Sequence, residues 1–284
     1  MGLVGILLSI SVGTDGERFG LGLGGRIALI EIEGIIADDE EVLDQIRRFR
    51  RDESVRGFVV AINSPGGIVG PAQSIYREIR RLREEDDRPV IASISGVGAS
   101  GGYYVALAAD SIFALPGSMT GSIGVIMEFP DASELMDKVG VQMQVVKSAE
   151  HKDIGSPFRT ITPADRAVLD SLVTDVYRQF VEVVAAERGL DSATLRRVAD
   201  GRVLSGRQAL ESGLIDRIGN VHDAIASAGA TAGLGEDPDV AKPPEDSFRV
   251  LDLILGRAAS RVVGDLIRPL DRAGTPSIRY VVPW

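Results

Sequence analysis

The chain has 284 residues, 44% hydrophobic and 25% charged, enough to bury the core of one large α/β domain or two small ones. It contains no cysteine, which excludes disulfides and thiolate metal sites. Its 41 acidic side chains against 31 basic ones leave a formal charge of −10, which makes nucleic acid and anionic membrane surfaces poor partners for the bulk of the domain.

Residues 2–13 form an uncharged apolar run. As a helix this run would span about 18 Å, short of the roughly 30 Å hydrocarbon core of a bilayer. It also lacks the basic start of a secretory signal. It reads as a membrane-proximal segment, joined by a glycine-dense linker to a domain that starts at Arg26. Residues 27–32 read as a first strand. Residues 38–50 follow as a helix, with Asp38 or Asp39 as cap and Val42, Ile46 and Phe49 recurring at helical spacing.

The continuous apolar run 57–62 predicts a second strand buried on both faces, ending in Asn63-Ser64-Pro65-Gly66-Gly67. Residues 71–85 predict a helix with proline in its first turn and Ile75, Ile79 and Leu82 on one face. Residues 89–95 read as a third buried strand leading into Gly98-Ala99-Ser100-Gly101-Gly102, and 103–109 as an alanine-rich helix. A short strand at 111–114, the loop 117–124, a helix at 131–139 and a strand at 141–146 complete the first half. Strands and helices alternating at these lengths predict a mostly parallel sheet flanked by helices. The second half turns helical, at 163–188, 192–200, 206–212 and 221–229. The domain is expected to cover 26–235, and the extension 236–284 carries a proline-rich break, an amphipathic helix at 248–270 and a terminal strand at 278–282.

Ser100 stands where a strand gives way to a helix, crowded by small residues. A serine there has unpaired N–H groups and the positive end of a helix dipole beside it, which suits an acyl-transfer nucleophile. A glycine-rich turn with a capping serine is the plain alternative. Such a nucleophile needs a base, and the chain holds only two histidines. His222, flanked by Asp223 in a late helix, reads as a solvated surface residue, while His151 follows the end of a predicted strand and can reach the same face as Ser100.

Four segments in order, Asn63-Ser64-Pro65-Gly66-Gly67, Gly98 through Tyr104, Thr120-Gly121-Ser122-Ile123-Gly124, and Lys147-Ser148 with His151-Lys152-Asp153 and Ser156-Pro157, resemble the signal peptide peptidase A family. That family comprises Ser/Lys proteases related in fold to the Clp proteolytic subunit and to crotonases. The resemblance covers about residues 27–229. It implies a Clp/crotonase-like α/β fold with a helical C-terminal half. It also implies Ser100 as nucleophile, Lys152 as general base, Ser122 as the hydroxyl that orients the lysine amine, and the N–H groups of Gly67 and Gly101 as oxyanion hole. The implied activity is endopeptidase cleavage of hydrophobic peptides, such as remnant signal peptides, through an acyl-enzyme, with no metal or cofactor. The implied assembly is a homo-oligomeric ring or dome, whose site lies within one chain or is shared between identical copies. With the N-terminal segment, it places the protein at a membrane with the catalytic domain on the extracytoplasmic side.

The residues agree with these roles physically. Paired glycines after a strand let the backbone approach a carbonyl closely. A lysine base must be uncharged, and at an ordinary lysine pKa of about 10.4 only about one molecule in a few thousand is neutral at pH 7. Lys152 is therefore expected to be buried near Ser100, with no carboxylate paired to it despite Glu150 and Asp153 close by. His151 stands as the alternative base, and a Clp-like Ser-His-Asp triad finds no histidine near Val125. Tyr103 and Tyr104 read as core and pocket-wall aromatics, Asn63 as a residue that fixes the glycine loop or simply ends its strand, and Ser64 and Ser156 as structural. Two other functions fit the same fold: a crotonase-type acyl-CoA enzyme, for which the chain shows no nucleotide pocket or catalytic carboxylate signature, and a non-catalytic membrane scaffold.

Overall fold

A computed structural model describes residues 24–243 and a short strand at 279–281. The apolar run 2–13, nearly all of the glycine linker and the helix expected at 248–270 lie outside the described residues. The described elements run β1 (Arg26–Glu33), α1 (Glu40–Arg50), β2 (Val55–Ser64), β3 (Gly66–Ile68), α2 (Val69–Glu84), β4 (Val90–Ala99), α3 (Gly101–Ala106), β5 (Ser111–Ala114), β6 (Met119–Gly121) and α4 (Ser133–Val139). A 3₁₀ turn (Glu150–Asp153) precedes α5 (Pro163–Arg188), α6 (Ser192–Val198), β7 (Val203–Ser205), α7 (Gly206–Glu211), β8 (Arg217–Ile218), α8 (Val221–Thr231), β9 (Asp239–Ala241) and β10 (Arg279–Val281).

The main sheet has the order β7-β6-β4-β2-β1-β9, and all its pairings are parallel except β6 with β7. β4 serves two neighbours along one edge: Ile91–Ile94 pair with β5, and Val97–Ala99 with β6. Because side chains alternate along a strand, the apolar runs of the central strands divide between two cores. Ala28, Ile30, Phe58, Val60, Val90, Ala92 and Ile94 face one side, where α2, α3 and α5 pack. Ile27, Leu29, Val59 and Ile91 face the other, covered by Ala224 and Ala228 of α8. This is the α/β architecture expected from the alternating pattern, a mostly parallel sheet flanked by helices.

Several boundaries differ from the sequence reading. Asp39 occupies the N-cap of α1 without a side-chain cap bond, α2 begins at Val69 rather than Pro71, and α3 starts at Gly101 and ends at Ala106. The strand expected at 141–146 does not form. Its alternating pattern has strand propensity, but among the described residues no strand pairs with it and its side chains stand exposed, and propensity without a partner does not make a strand. Among the described residues no helix is long and apolar enough to cross a membrane.

The sheet's register does the positioning that matters for the site. Ser64 pairs with Gly98, Gly98 with Thr120, and Ala99 with Gly121, so the loops leaving β2, β4 and β6 emerge together at the carboxyl ends of parallel strands. That is where open α/β sheets bind their ligands.

α5 ties the helical half to this framework through Phe180, whose ring meets Tyr104 edge-on with centroids 5.1 Å apart, while Tyr104 meets Tyr76 of α2 at 5.0 Å. Phe180 is fully buried, so Phe180→Ala should destabilise the fold by about 3–5 kcal/mol, read as a fall in the midpoint of chemical denaturation.

Candidate active site

Ala99 and Gly121 are partners in the β4–β6 register, and the next residue on each strand is a serine with positive φ: Ser100 at 54° and Ser122 at 51°. Asp87 is the only other non-glycine residue with positive φ among the described residues. Such a conformation costs on the order of 1–3 kcal/mol and persists only where its surroundings enforce it. Here backbone hydrogen bonds do so. The N–H of Ser100 donates to the carbonyl of Gly121 at 2.8 Å, the N–H of Tyr104 donates to the carbonyl of Ser100 at 2.8 Å, and the N–H of Ser122 donates to the carbonyl of Arg202 at 2.8 Å. Both serines are buried.

Ser100 is 1% exposed, and its Oγ is the one fully buried side-chain polar atom without a hydrogen-bond partner among the described residues. Leaving a buried hydroxyl unsatisfied costs roughly 1–3 kcal/mol, so such an atom in a native fold calls for an explanation.

Close backbone packing explains the glycines. A Cβ on Gly67 would stand 2.0 Å from the carbonyl oxygen of Ile36, and one on Gly102 would stand 2.6 Å from that of Ser64. The turn after β4 therefore nests on the end of β2. Ser64 shapes the glycine loop, its Oγ accepting from the N–H of Gly66 at 3.1 Å. Asn63 does not perform that task. Its Nδ2 donates to Glu33 at 3.1 Å and its Oδ1 accepts from the N–H of Val97 at 3.3 Å, so it ties β2 to β1 and β4. Gly101 opens α3, where the first N–H groups have no intrahelical acceptor. The outer edge of β3 is occupied by β10, antiparallel, with Tyr280 opposite Gly67, and β10 also lies against α3.

Strand register and turns thus bring Ser100, Ser122, Gly67 and Gly101 to one place. Lys152 is not joined to them by any hydrogen bond to Ser100. It sits in the 3₁₀ turn, exposed in the single chain, which corrects the expectation of burial. The physical reason is local: residues 139–150 are exposed throughout, and no described element of this chain covers the turn. Among the described residues Lys152 makes no ion pair. The other lysine of the segment is committed, Lys147 donating to Asp153 at 2.8 Å and to the carbonyl of Glu150 at 2.7 Å.

His151 Nδ1 lies 3.0 Å from Asp165 Oδ1. Asp165, almost fully buried, also belongs to the capping box that starts α5, receiving the N–H and hydroxyl of Thr162. The Arg159 guanidinium, followed by His151, holds the Asp165 carboxyl well below the usual carboxylate range, and Arg159 with Lys147 does the same for Asp153. Asp165 and Arg159 have roles that the sequence reading missed. Thr162-Pro163-Ala164-Asp165 is a capping-box signal that could have found the first. Nothing local points to the second. Tyr103 is a core residue as expected, its hydroxyl donating to the carbonyl of Leu214 at 2.7 Å. Among the described residues, no group of three or more histidine or carboxylate side chains is placed to hold a metal ion.

The family model described as peptidase family S49 matches residues 83–235. The Synechocystis sp. protein slr0021, named as a candidate protease, is 41% identical over 216 residues, covering 75% of this chain and 76% of its own. An Enterococcus faecium protein named as a candidate signal peptide peptidase SppA is 34% identical over 71% of this chain and 62% of its own. Protease 4 of Salmonella typhi is 32% identical over 74% of this chain but only 35% of its own length.

Because its hydroxyl is buried and unpartnered, Ser100 should be a site where stability is given up. Ser100→Ala is expected to unfold at a denaturant midpoint no lower than the wild type, with a gain of about 1 kcal/mol. A clear loss of stability would show that the hydroxyl is structural.

Proposed function

Because the chain belongs to peptidase family S49 and is a serine-type peptidase, we propose that Ser100 is its nucleophile, Lys152 its general base and hydrophobic peptides its substrates. The unsatisfied, strained hydroxyl of Ser100 carries this reading. The peptidase identity sets aside acyl-CoA chemistry and a non-catalytic scaffold.

The sequence of events follows from the groups available. The Lys152 amine takes the proton of Ser100 Oγ as that oxygen bonds to the substrate's carbonyl carbon. The resulting oxyanion is received by the N–H of Gly67, in β3, and by that of Gly101, the residue after the nucleophile. Collapse breaks the C–N bond, the lysine ammonium returns its proton to the leaving amine, and Ser100 remains acylated. Water then attacks the ester, the lysine takes its proton, and Ser100 leaves with it as the acid product is released. Ser122, one residue beyond the partner of Ala99, is the hydroxyl that orients the lysine amine. The exposure of Lys152 in the single chain supports assembly of the site in a homo-oligomer, where an identical neighbour would cover the turn and desolvate the amine. A membrane-associated location with the catalytic domain on the extracytoplasmic side belongs to the same reading.

An extended substrate would add to β3, whose edge accepts an antiparallel strand as β10 does. Main-chain hydrogen bonds would fix its register, and its scissile carbonyl would lie beside Gly67.

Ser100→Ala and Lys152→Ala should each abolish turnover of a hydrophobic peptide while the proteins stay folded by circular dichroism. Ser122→Ala should lower kcat by about 10²-fold. Full turnover by Lys152→Ala at neutral pH would contradict the base assignment. A chain ending at residue 274 lacks β10, so its KM for a peptide should fall relative to the full chain. An unchanged KM would show that substrate does not use the β3 edge.

A further inference from the structure

The segment carrying Lys152 is held by a set of ion pairs, with the Phe129 ring packed against Gly155 just beyond the turn. Arg159 spans two carboxylates: its Nε and Nη2 donate to Asp153 at 3.0 and 2.8 Å, and its Nη1 donates to Asp165 at 2.6 Å. Both acids have further partners, Asp153 in Lys147 at 2.8 Å, and Asp165 in His151 at 3.0 Å and in Thr162. The neighbours of Lys152 are therefore fixed on both sides, His151 to Asp165 and Asp153 to Arg159. Lys152 alone in the turn keeps an amine with no ionic partner among the described residues.

We propose that Arg159 is a positioning residue for the peptidase reaction: by occupying Asp153 and Asp165 it denies the Lys152 amine a carboxylate and leaves it free to act as base. This rests on the reading of Lys152 as general base. The charged groups of this segment are Lys147, Lys152 and Arg159 against Glu150 and Asp153, with His151 titratable beside them; the α5 start packed against it adds Asp165 and Arg166, and Asp131 reaches it through Thr160. Removing Arg159 takes away the cation that Asp153 and Asp165 share and leaves both acids less compensated near Lys152. A carboxylate beside an amine favours the charged form, and an ammonium cannot accept the proton of Ser100. Arginine suits the task because its planar fork holds two oxygens of one carboxylate and still reaches a second, which a lysine ammonium on one flexible stem does not. The clamp itself survives ordinary acidity. Both acids titrate below their unfolded range, so the stability they add is present above about pH 4 and is lost only as pH falls through their depressed folded values.

The test is kcat/KM for a hydrophobic peptide from pH 6 to 10, measured on the full chain as wild type, Arg159→Gln, Arg159→Gln with Asp153→Asn, and Lys152→Ala. Arg159→Gln is expected to lose about tenfold at pH 7 as the acid limb moves up about one pH unit, and to regain wild-type turnover at the alkaline end. Adding Asp153→Asn should move the limb back toward the wild type. A loss equal at every pH, a limb that does not move, or a double variant no better than the single one overturns the proposal. If Arg159→Gln does not fold, Arg159→Lys takes its place with a smaller shift in the same direction, and an unmoved limb there overturns it equally. Lys152→Ala separates the two readings: an inactive Lys152→Ala with an unmoved Arg159→Gln profile refutes the positioning role alone. A fully active Lys152→Ala removes the base assignment, and this proposal with it.

Discussion

The site depends on one constraint, the forced turn that carries the Ser100 hydroxyl out of β4 into a buried position with nothing to bond. Everything around it keeps that turn in place. The parallel register of β4 with β6 sets Ser100 beside Ser122, and the carbonyl of Gly121 receives the Ser100 N–H. Gly102 is bare because Ser64 lies against it, and Gly67 is bare because Ile36 does. Each removes a Cβ that would hold two backbones apart, so the pattern of glycines records a packing requirement around the proposed oxyanion site. The fold spends stability here, as strain and an orphaned hydroxyl, and recovers it in two cores divided by the sheet.

The segment that carries the proposed base, Lys152, is built differently. Around Ser100 the framework is strand register and buried packing, whereas around Lys152 it is a chain of ion pairs on an exposed segment. Packing gives Ser100 a fixed place within the chain. The charge clamp gives the lysine's turn a fixed shape but leaves its surroundings open to water. On the proposed reading, in which an identical neighbour completes the site, a turn already held by ion pairs would need little further ordering when that neighbour binds.

Much of this was legible in the sequence because it rests on local signals. The continuous apolar runs named β2 and β4, the proline and the spaced isoleucines named α2, and Thr162-Pro163 set the start of α5 at the residue observed. The place of Ser100 between a strand and a helix was legible because a buried apolar run ends there among small residues. What escaped depends on tertiary partners. β3, β6 and β7 are three residues each, too short for periodicity and defined only by what they pair with. Residues 141–146 have the composition of a strand but no partner among the described residues, and Lys152 lies exposed where catalysis suggested burial. That Ser64 rather than Asn63 bonds the glycine loop was not readable, since which of two adjacent polar side chains faces the loop follows from strand pleat and loop path rather than residue type. Arg159 was invisible because its meaning lies in two carboxylates on opposite sides of it in the chain.

The central claim is that Ser100 is a nucleophile activated by the amine of Lys152. Covalent capture tests it most directly: a serine-directed phosphonate is reacted with the full chain across neutral to alkaline pH, and the adduct is located by peptide mass spectrometry. The account predicts a single adduct on Ser100 whose rate of formation rises as the base loses its proton, and no such pH-dependent labelling in Lys152→Ala. An adduct on another residue, or equal labelling of Ser100 without Lys152, would contradict it.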